Sequence, residues 1–108
     1  MNVGIDLIQI SRFKEIPYND NESFYKKNFS NDEIEYCLKF SEPYKHFAGK
    51  FAIKEAVVKS IGEKLELSSI VTFYNDEKPC VKITNRYSDF KVSVSHDGDY
   101  AIAIVLSP

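Results

Sequence analysis

Cysteine is scarce in this chain, with only Cys37 and Cys80 among 108 residues. A disulfide scaffold or a cysteine zinc site needs more. The plainer reading of the pair is two buried thiols in a reducing cytoplasm. The two histidines, His46 and His96, are too few for a multi-histidine metal site. Charged residues interrupt every apolar run well short of the roughly 18 residues that a membrane helix needs. The opening Met1-Asn2-Val3-Gly4-Ile5-Asp6 lacks the basic-then-apolar pattern of a signal peptide. A basic excess is missing as well: 14 lysines and arginines against 16 acids leave a net charge of −2, which argues against a non-specific nucleic-acid binder. There is no P-loop, G-x-S-x-G, H-E-x-x-H or C-x-x-C motif. With no repeat and no Pro/Gly-rich linker, the length fits one domain over residues 1–108.

What remains is an ordinary globular composition, 44% hydrophobic and 28% charged, too apolar for disorder. Val3, Ile5 and Leu7 alternate with Gly4, Asp6 and Ile8, a strand pattern with a carboxylate at its middle. Ser30-Asn31-Asp32-Glu33 has capping-box spacing and predicts a helix over about 31–40. A longer helix is predicted from about Tyr44 to Ile61, after Pro43 and closed by Gly62. Its apolar stripe is broad enough to be packed on several sides. Period-two patterns follow at Ser69–Tyr74, Pro79–Ile83, Lys91–His96 and Asp99–Leu106, the last two flanking an Asp97-Gly98 hairpin signal. Helices early and strands late make the class α+β, an antiparallel sheet against one long helix and several short ones.

The long helix carries the first local chemistry. From Pro43 to Gly62 there are four lysines (Lys45, Lys50, Lys54, Lys59) and one acid, Glu55. Such a basic island suits a polyanionic ligand; the alternative is a solvated lysine face. Glu55 and Lys59 are four apart and share a face. A partly covered Glu55 needs a partner, either Lys59 or a cation, and Asp6 poses the same question from its strand. Two carboxylates brought together would form a hard-oxygen site of the kind Mg²⁺ uses, although spacing alone does not bring them together. His96, between Ser95 and Asp97, is either a turn residue or a catalyst.

These features line up with one family. Gly4-Ile5-Asp6-Leu7 through Arg12-Phe13 resembles the opening motif of the holo-(acyl-carrier-protein) synthases, and Phe29-Ser30-Asn31-Asp32-Glu33 resembles their F-[ST]-x-x-E segment. Phe51-Ala52-Ile53-Lys54-Glu55-Ala56 with Lys59 and Gly62 is similar to their F-A-x-K-E-A-x-x-K-x-x-G signature. Ser93-Val94-Ser95-His96 followed by Tyr100-Ala101 resembles their closing pattern. The resemblance implies a 4′-phosphopantetheinyl transferase fold. It also implies transfer of the 4′-phosphopantetheine arm of coenzyme A to a serine of an apo acyl-carrier protein, releasing 3′,5′-ADP, in fatty-acid or related biosynthesis. By the same resemblance, Asp6 and Glu55 would hold Mg²⁺, and Lys59 would reach a phosphate oxygen or the leaving group. Lys50, Lys54 and His96 would serve coenzyme A, Asp6, Glu55, Lys59 and His96 forming the catalytic set. Arg12 would meet an acidic carrier, and the assembly would be a homotrimer with shared clefts. Lys50 stands where many members carry arginine, Gln9 where an acid is common, and Gly62-Glu63-Lys64 replaces Gly-Thr-Gly. The alternatives are a relative that binds nucleotide or carrier without transfer, and a Mg²⁺-dependent phosphohydrolase.

Overall fold

The computed structural model describes residues 1–86 and 89–108. The chain opens with strand β1 (Asn2–Gln9), then short helices α1 (Ser11–Lys14), α2 (Glu22–Asn28) and α3 (Asn31–Leu38). The long helix α4 (Pro43–Ile61) follows, and strands β2 (Ile70–Asn75), β3 (Lys78–Ile83), β4 (Lys91–Asp97) and β5 (Tyr100–Ser107) close the chain. The fold is α+β, and the described strands form two antiparallel sheets, β1-β5-β4 and the hairpin β2-β3. No described helix is long and apolar enough to cross a membrane.

Local signals set the element ends. Ser30 accepts from the Glu33 amide while the Glu33 side chain accepts from the Ser30 amide, a complete capping box for α3. Pro43 sits in the first turn of α4, and Gly62 ends that helix at φ 66°, where a side chain would be strained. The next residues depart from the family pattern to structural effect, since Glu63 takes both guanidinium arms of Arg86 and ties the end of α4 to the end of β3.

The last hairpin differs by one residue from the sequence expectation. Asp97 pairs with Tyr100 and His96 with Ala101, so the turn is Gly98-Asp99 and not Asp97-Gly98. Contacts outside the hairpin hold Asp99 there. Its carboxylate accepts from the Ser11 amide at 2.9 Å and the Ser11 hydroxyl at 2.8 Å, and its carbonyl accepts from the Ile10 amide at 2.7 Å.

Helix α4 lies across the first sheet. Gly4, Ile8, Ala101, Ala103 and Val105 face it, and Ala52 and Ala56 are fully buried on the helix. Gly4 permits the close approach: a Cβ there would stand 1.9 Å from the Ala56 carbonyl oxygen. On the other side of α4, Tyr25, Phe29 and Phe47 form a buried aromatic cluster, with centroids 4.7 Å apart for Tyr25–Phe47 and 5.1 Å for Phe29–Phe47. Such edge-to-face pairs add about 0.5–1.5 kcal/mol each beyond area burial. The helix is thus packed on several sides, as its stripe predicts. Cys37 is buried, and burial pushes its thiol up to about 12. Cys80 is only half-buried, against the expectation of two buried thiols, because it lies on the β2-β3 hairpin, whose tip is exposed.

Candidate active site

Strand β1 alternates, so Gly4, Asp6 and Ile8 point toward α4. Glu55 and Lys59 lie one turn apart on the helix side of that crossing. The Asp6 side chain is 12% exposed. Lys59 Nζ donates to Asp6 Oδ1 at 3.1 Å and to the Ile5 carbonyl at 2.9 Å. Asp6 Oδ2 is buried and has no hydrogen-bond partner among the described residues. Burial, together with the nearby Asp6 charge, pushes the Glu55 carboxyl above its ordinary range, and Lys59 partly offsets this. Glu55 has no ion-pair partner among the described residues, so the helical Glu55–Lys59 bridge is not made; Lys59 reaches back to β1 instead.

This donor set fits a small hard cation. It offers carboxylate oxygens, one of them orphaned in a buried position, where an unpaired polar atom is costly. No cluster of three or more His, Cys, Asp or Glu side chains suited to a metal occurs among the described residues. Two carboxylates, with water and phosphate completing the shell, are the donors Mg²⁺ commonly takes.

Two of the other three helix lysines, Lys50 and Lys54, turn inward and do not join that site, so the four do not form one basic surface. Lys54 is fully buried. Its three protons go to Glu33 Oε1 at 2.7 Å, the Asn28 carbonyl at 2.9 Å and the Leu67 carbonyl at 3.1 Å, which leaves no donor for a ligand. Lys50 is also buried and donates to Thr72 Oγ1 at 2.9 Å. Its ammonium lies 4.7 Å and 5.2 Å from the ring centroids of Tyr36 and Tyr74. Burial lowers the pKa of both amines. A small cavity of about 290 Å³ adjoins Lys50, with Asp32, Tyr36 and Tyr74 in its wall. Glu33 holds this layer together, because its Oε2 accepts from the Thr72 amide and hydroxyl at 2.8 and 2.6 Å. The sequence marks Glu33 as a capping residue only; nothing local reveals its second task.

His96 occupies a separate place. Its Nε2 lies 3.1 Å from the Lys45 carbonyl, an acceptor, which assigns the proton to that nitrogen. The ring packs over Gly49, where a Cβ would come within 3.1 Å of Nε2. Gly49 precedes Glu55 by six positions, roughly 9 Å of helix rise. One chain therefore gathers Asp6, Glu55 and Lys59, and sets His96 at the other end of α4. There it borders a cleft of about 530 Å³ between the start of α4 and the β4–β5 turn. Lys14, Lys45 and Asp97 also line it. Arg12 is exposed on the adjoining helix α1.

The 4′-phosphopantetheinyl transferase superfamily model matches residues 2–105. A holo-[acyl-carrier-protein] synthase from Thermodesulfovibrio yellowstonii is 36% identical, covering 96% of this chain and 95% of the relative. That of Chloroherpeton thalassium is also 36% identical, covering 98% and 96%. Among solved structures, the holo-(acyl-carrier-protein) synthase of Bacillus anthracis in complex with CoA (3′,5′-ADP) superposes with a TM-score of 0.84 at 26% identity, over 98% of this chain and 94% of that one. The Helicobacter pylori holo-[acyl-carrier-protein] synthase in complex with coenzyme A gives 0.83 at 27% identity, over 98% and 99%.

Proposed function

The chain belongs to the 4′-phosphopantetheinyl transferase superfamily, and on that premise we propose that it is a Mg²⁺-dependent holo-(acyl-carrier-protein) synthase. It moves the 4′-phosphopantetheine arm of coenzyme A onto a serine hydroxyl of an apo acyl-carrier protein and releases 3′,5′-ADP. The observation that carries the metal-dependent part is the orphaned, buried Asp6 Oδ2 beside Glu55 and Lys59.

The serine oxygen forms a bond to the phosphorus that bears the pantetheine arm, the bond from that phosphorus to the 3′,5′-ADP oxygen breaks, and the serine hydroxyl proton is released to solvent. Such displacements depend on alignment and on stabilising charge that develops on phosphate oxygens. Asp6 and Glu55 would hold Mg²⁺, which would supply neutralising charge to the phosphate groups. Lys59, half-exposed one turn beyond Glu55, reaches a phosphate oxygen or the leaving group. Lys54 and Lys50 act behind the site, fixing α3 and β2 to α4 so that Glu55 keeps its place. Lys45 and Lys14 give the cleft beside His96 two cationic side chains for a nucleotide phosphate, in a wall they share with Glu42, Asp97 and Asp99.

Arg12 and Lys14, exposed on α1, suit an acidic carrier protein. The homotrimer implied by the family is supported by an uncovered apolar sheet face: Val3, Ile5, Leu7, Ile102 and Ile104 are all exposed on the side of β1 and β5 away from α4. Two free thiols and the absence of a membrane-crossing helix among the described residues support a cytoplasmic enzyme.

Intact-protein mass spectrometry tests the activity: an apo carrier gains one phosphopantetheine when coenzyme A and Mg²⁺ are present. No gain across several acyl and peptidyl carriers would sink the reading. Asp6→Ala and Glu55→Gln each abolish transfer while the circular dichroism spectrum is kept; full activity in both variants overturns the metal assignment.

A further inference from the structure

Lys59 spends its ammonium in a direction that phosphate binding does not call for. Its side chain is 54% exposed, yet Nζ folds back over β1 to the Ile5 carbonyl at 2.9 Å and Asp6 Oδ1 at 3.1 Å. Glu55, one turn earlier and equally available by helical spacing, receives no such contact. Asp6, at 12% exposure, thus has one oxygen matched by an ammonium and the other without a partner among the described residues.

We propose that Lys59 is a placeholder cation, seated on Asp6 until a divalent cation displaces it and then released toward the coenzyme A phosphates. The inference rests on Asp6 and Glu55 being the metal ligands, as proposed above, and adds an order of events to that reading. A nearly buried carboxylate without a counter-charge is costly, so the empty site gains from a built-in cation. Lysine suits a removable one, being a single charge on a flexible stem, held here at a half-exposed position where ion pairs are weak. A divalent ion on Asp6 repels an ammonium on the same carboxylate, and a phosphate gives the released ammonium a new partner. Metal and coenzyme A then favour one another's binding through Lys59, and linkage makes that coupling mutual.

Mn²⁺ binding, followed by calorimetry and electron paramagnetic resonance without a carrier protein, tests this on the wild type, K59M, K59R and E55Q. K59M, which keeps the length and loses the charge, binds Mn²⁺ about three- to tenfold more tightly than the wild type, the size expected for losing one partly exposed charge contact. K59R stays near the wild type. Coenzyme A tightens Mn²⁺ in the wild type and does so less in K59M. Equal or weaker Mn²⁺ binding by K59M overturns the placeholder, as does a gain in K59R equal to that of K59M. Loss of Mn²⁺ binding in E55Q alongside an unchanged K59M removes the placeholder alone. Absence of Mn²⁺ binding in every protein removes the metal site and the placeholder together.

Discussion

The Glu33 carboxylate closes the capping box of α3 through the Ser30 amide and at the same time receives Lys54 from α4 and Thr72 from β2. Burial alone would raise its pKa, but the Lys54 charge and the donors from Lys54, Thr72 and Ser30 outweigh that and hold it below the ordinary value of 4.5. A carboxyl whose pKa is lowered by folding stabilises the protein above its unfolded pKa, and the gain is lost as pH falls through the folded one. Burial lowers the pKa of its partner Lys54, and the Glu33 charge opposes that shift. Glu33→Gln leaves the Lys54 ammonium buried without a counter-charge and costs about 3–5 kcal/mol near neutral pH. Urea unfolding at about pH 7 and about pH 3 shows the gap between wild type and variant narrowing on acidification. A gap that stays constant with pH contradicts the assignment. At the same scale, Lys50 and Lys54 show where sequence reasoning stops. Four lysines on one helix read as a basic surface, but two turn inward because Glu33 and Thr72 wait there, 21 and 22 residues away from their partners. No local pattern encodes such partners.

At the level of elements, the site depends on how closely β1 crosses α4. Gly4 is the residue that allows it, and the chemistry is two positions further along the same face of the strand. Gly4→Ala puts a methyl group against the Ala56 carbonyl, so strand and helix must separate. Overpacking of this kind costs about 1–3 kcal/mol, and moving Asp6 away from Glu55 lowers transfer as well. Thermal melting and the carrier assay read the two effects; a variant with wild-type values in both would show that the crossing tolerates a side chain. Much of this architecture was legible in the sequence. Alternation gave β1, the Ser30/Glu33 spacing gave the start of α3, and Pro43 and Gly62 bracketed α4. The meeting of Asp6 and Glu55 was legible only through resemblance, because it requires a strand and a helix some 50 residues apart to cross at one point. The β4–β5 turn was misplaced for a related reason. Asp97-Gly98 is the better local signal, and Asp99 is drawn into the turn by Ser11 and Ile10 on another element.

At the scale of the whole molecule, the first sheet is covered by α4 on one face and bare on the other. Its outer face carries Ile5 opposite Ile104 and Leu7 opposite Ile102, a ladder of cross-strand apolar pairs open to water. The trimer proposed above would cover it. Ile104→Glu therefore gives a monomer on sizing while keeping its circular dichroism spectrum, and transfer drops with the assembly if clefts are shared between subunits. A variant that elutes with the wild type would show that this face is not the interface. The order of strands in that same sheet has a further consequence. Strand β5 is its middle member and the last element of the chain, pairing Ser107 with Asn2 on one side and Leu106 with Lys91 on the other. The strand bearing Asp6 therefore pairs with a neighbour that lies far along the chain from it, across every helix of the fold. Closing so long a loop adds little entropy cost beyond that of a shorter one, but pairing of this kind is slow to find. A variant without β5 would keep the helix with Glu55 and Lys59 and lack the strand that joins both halves of the sheet, so the site is whole only once that strand is in place.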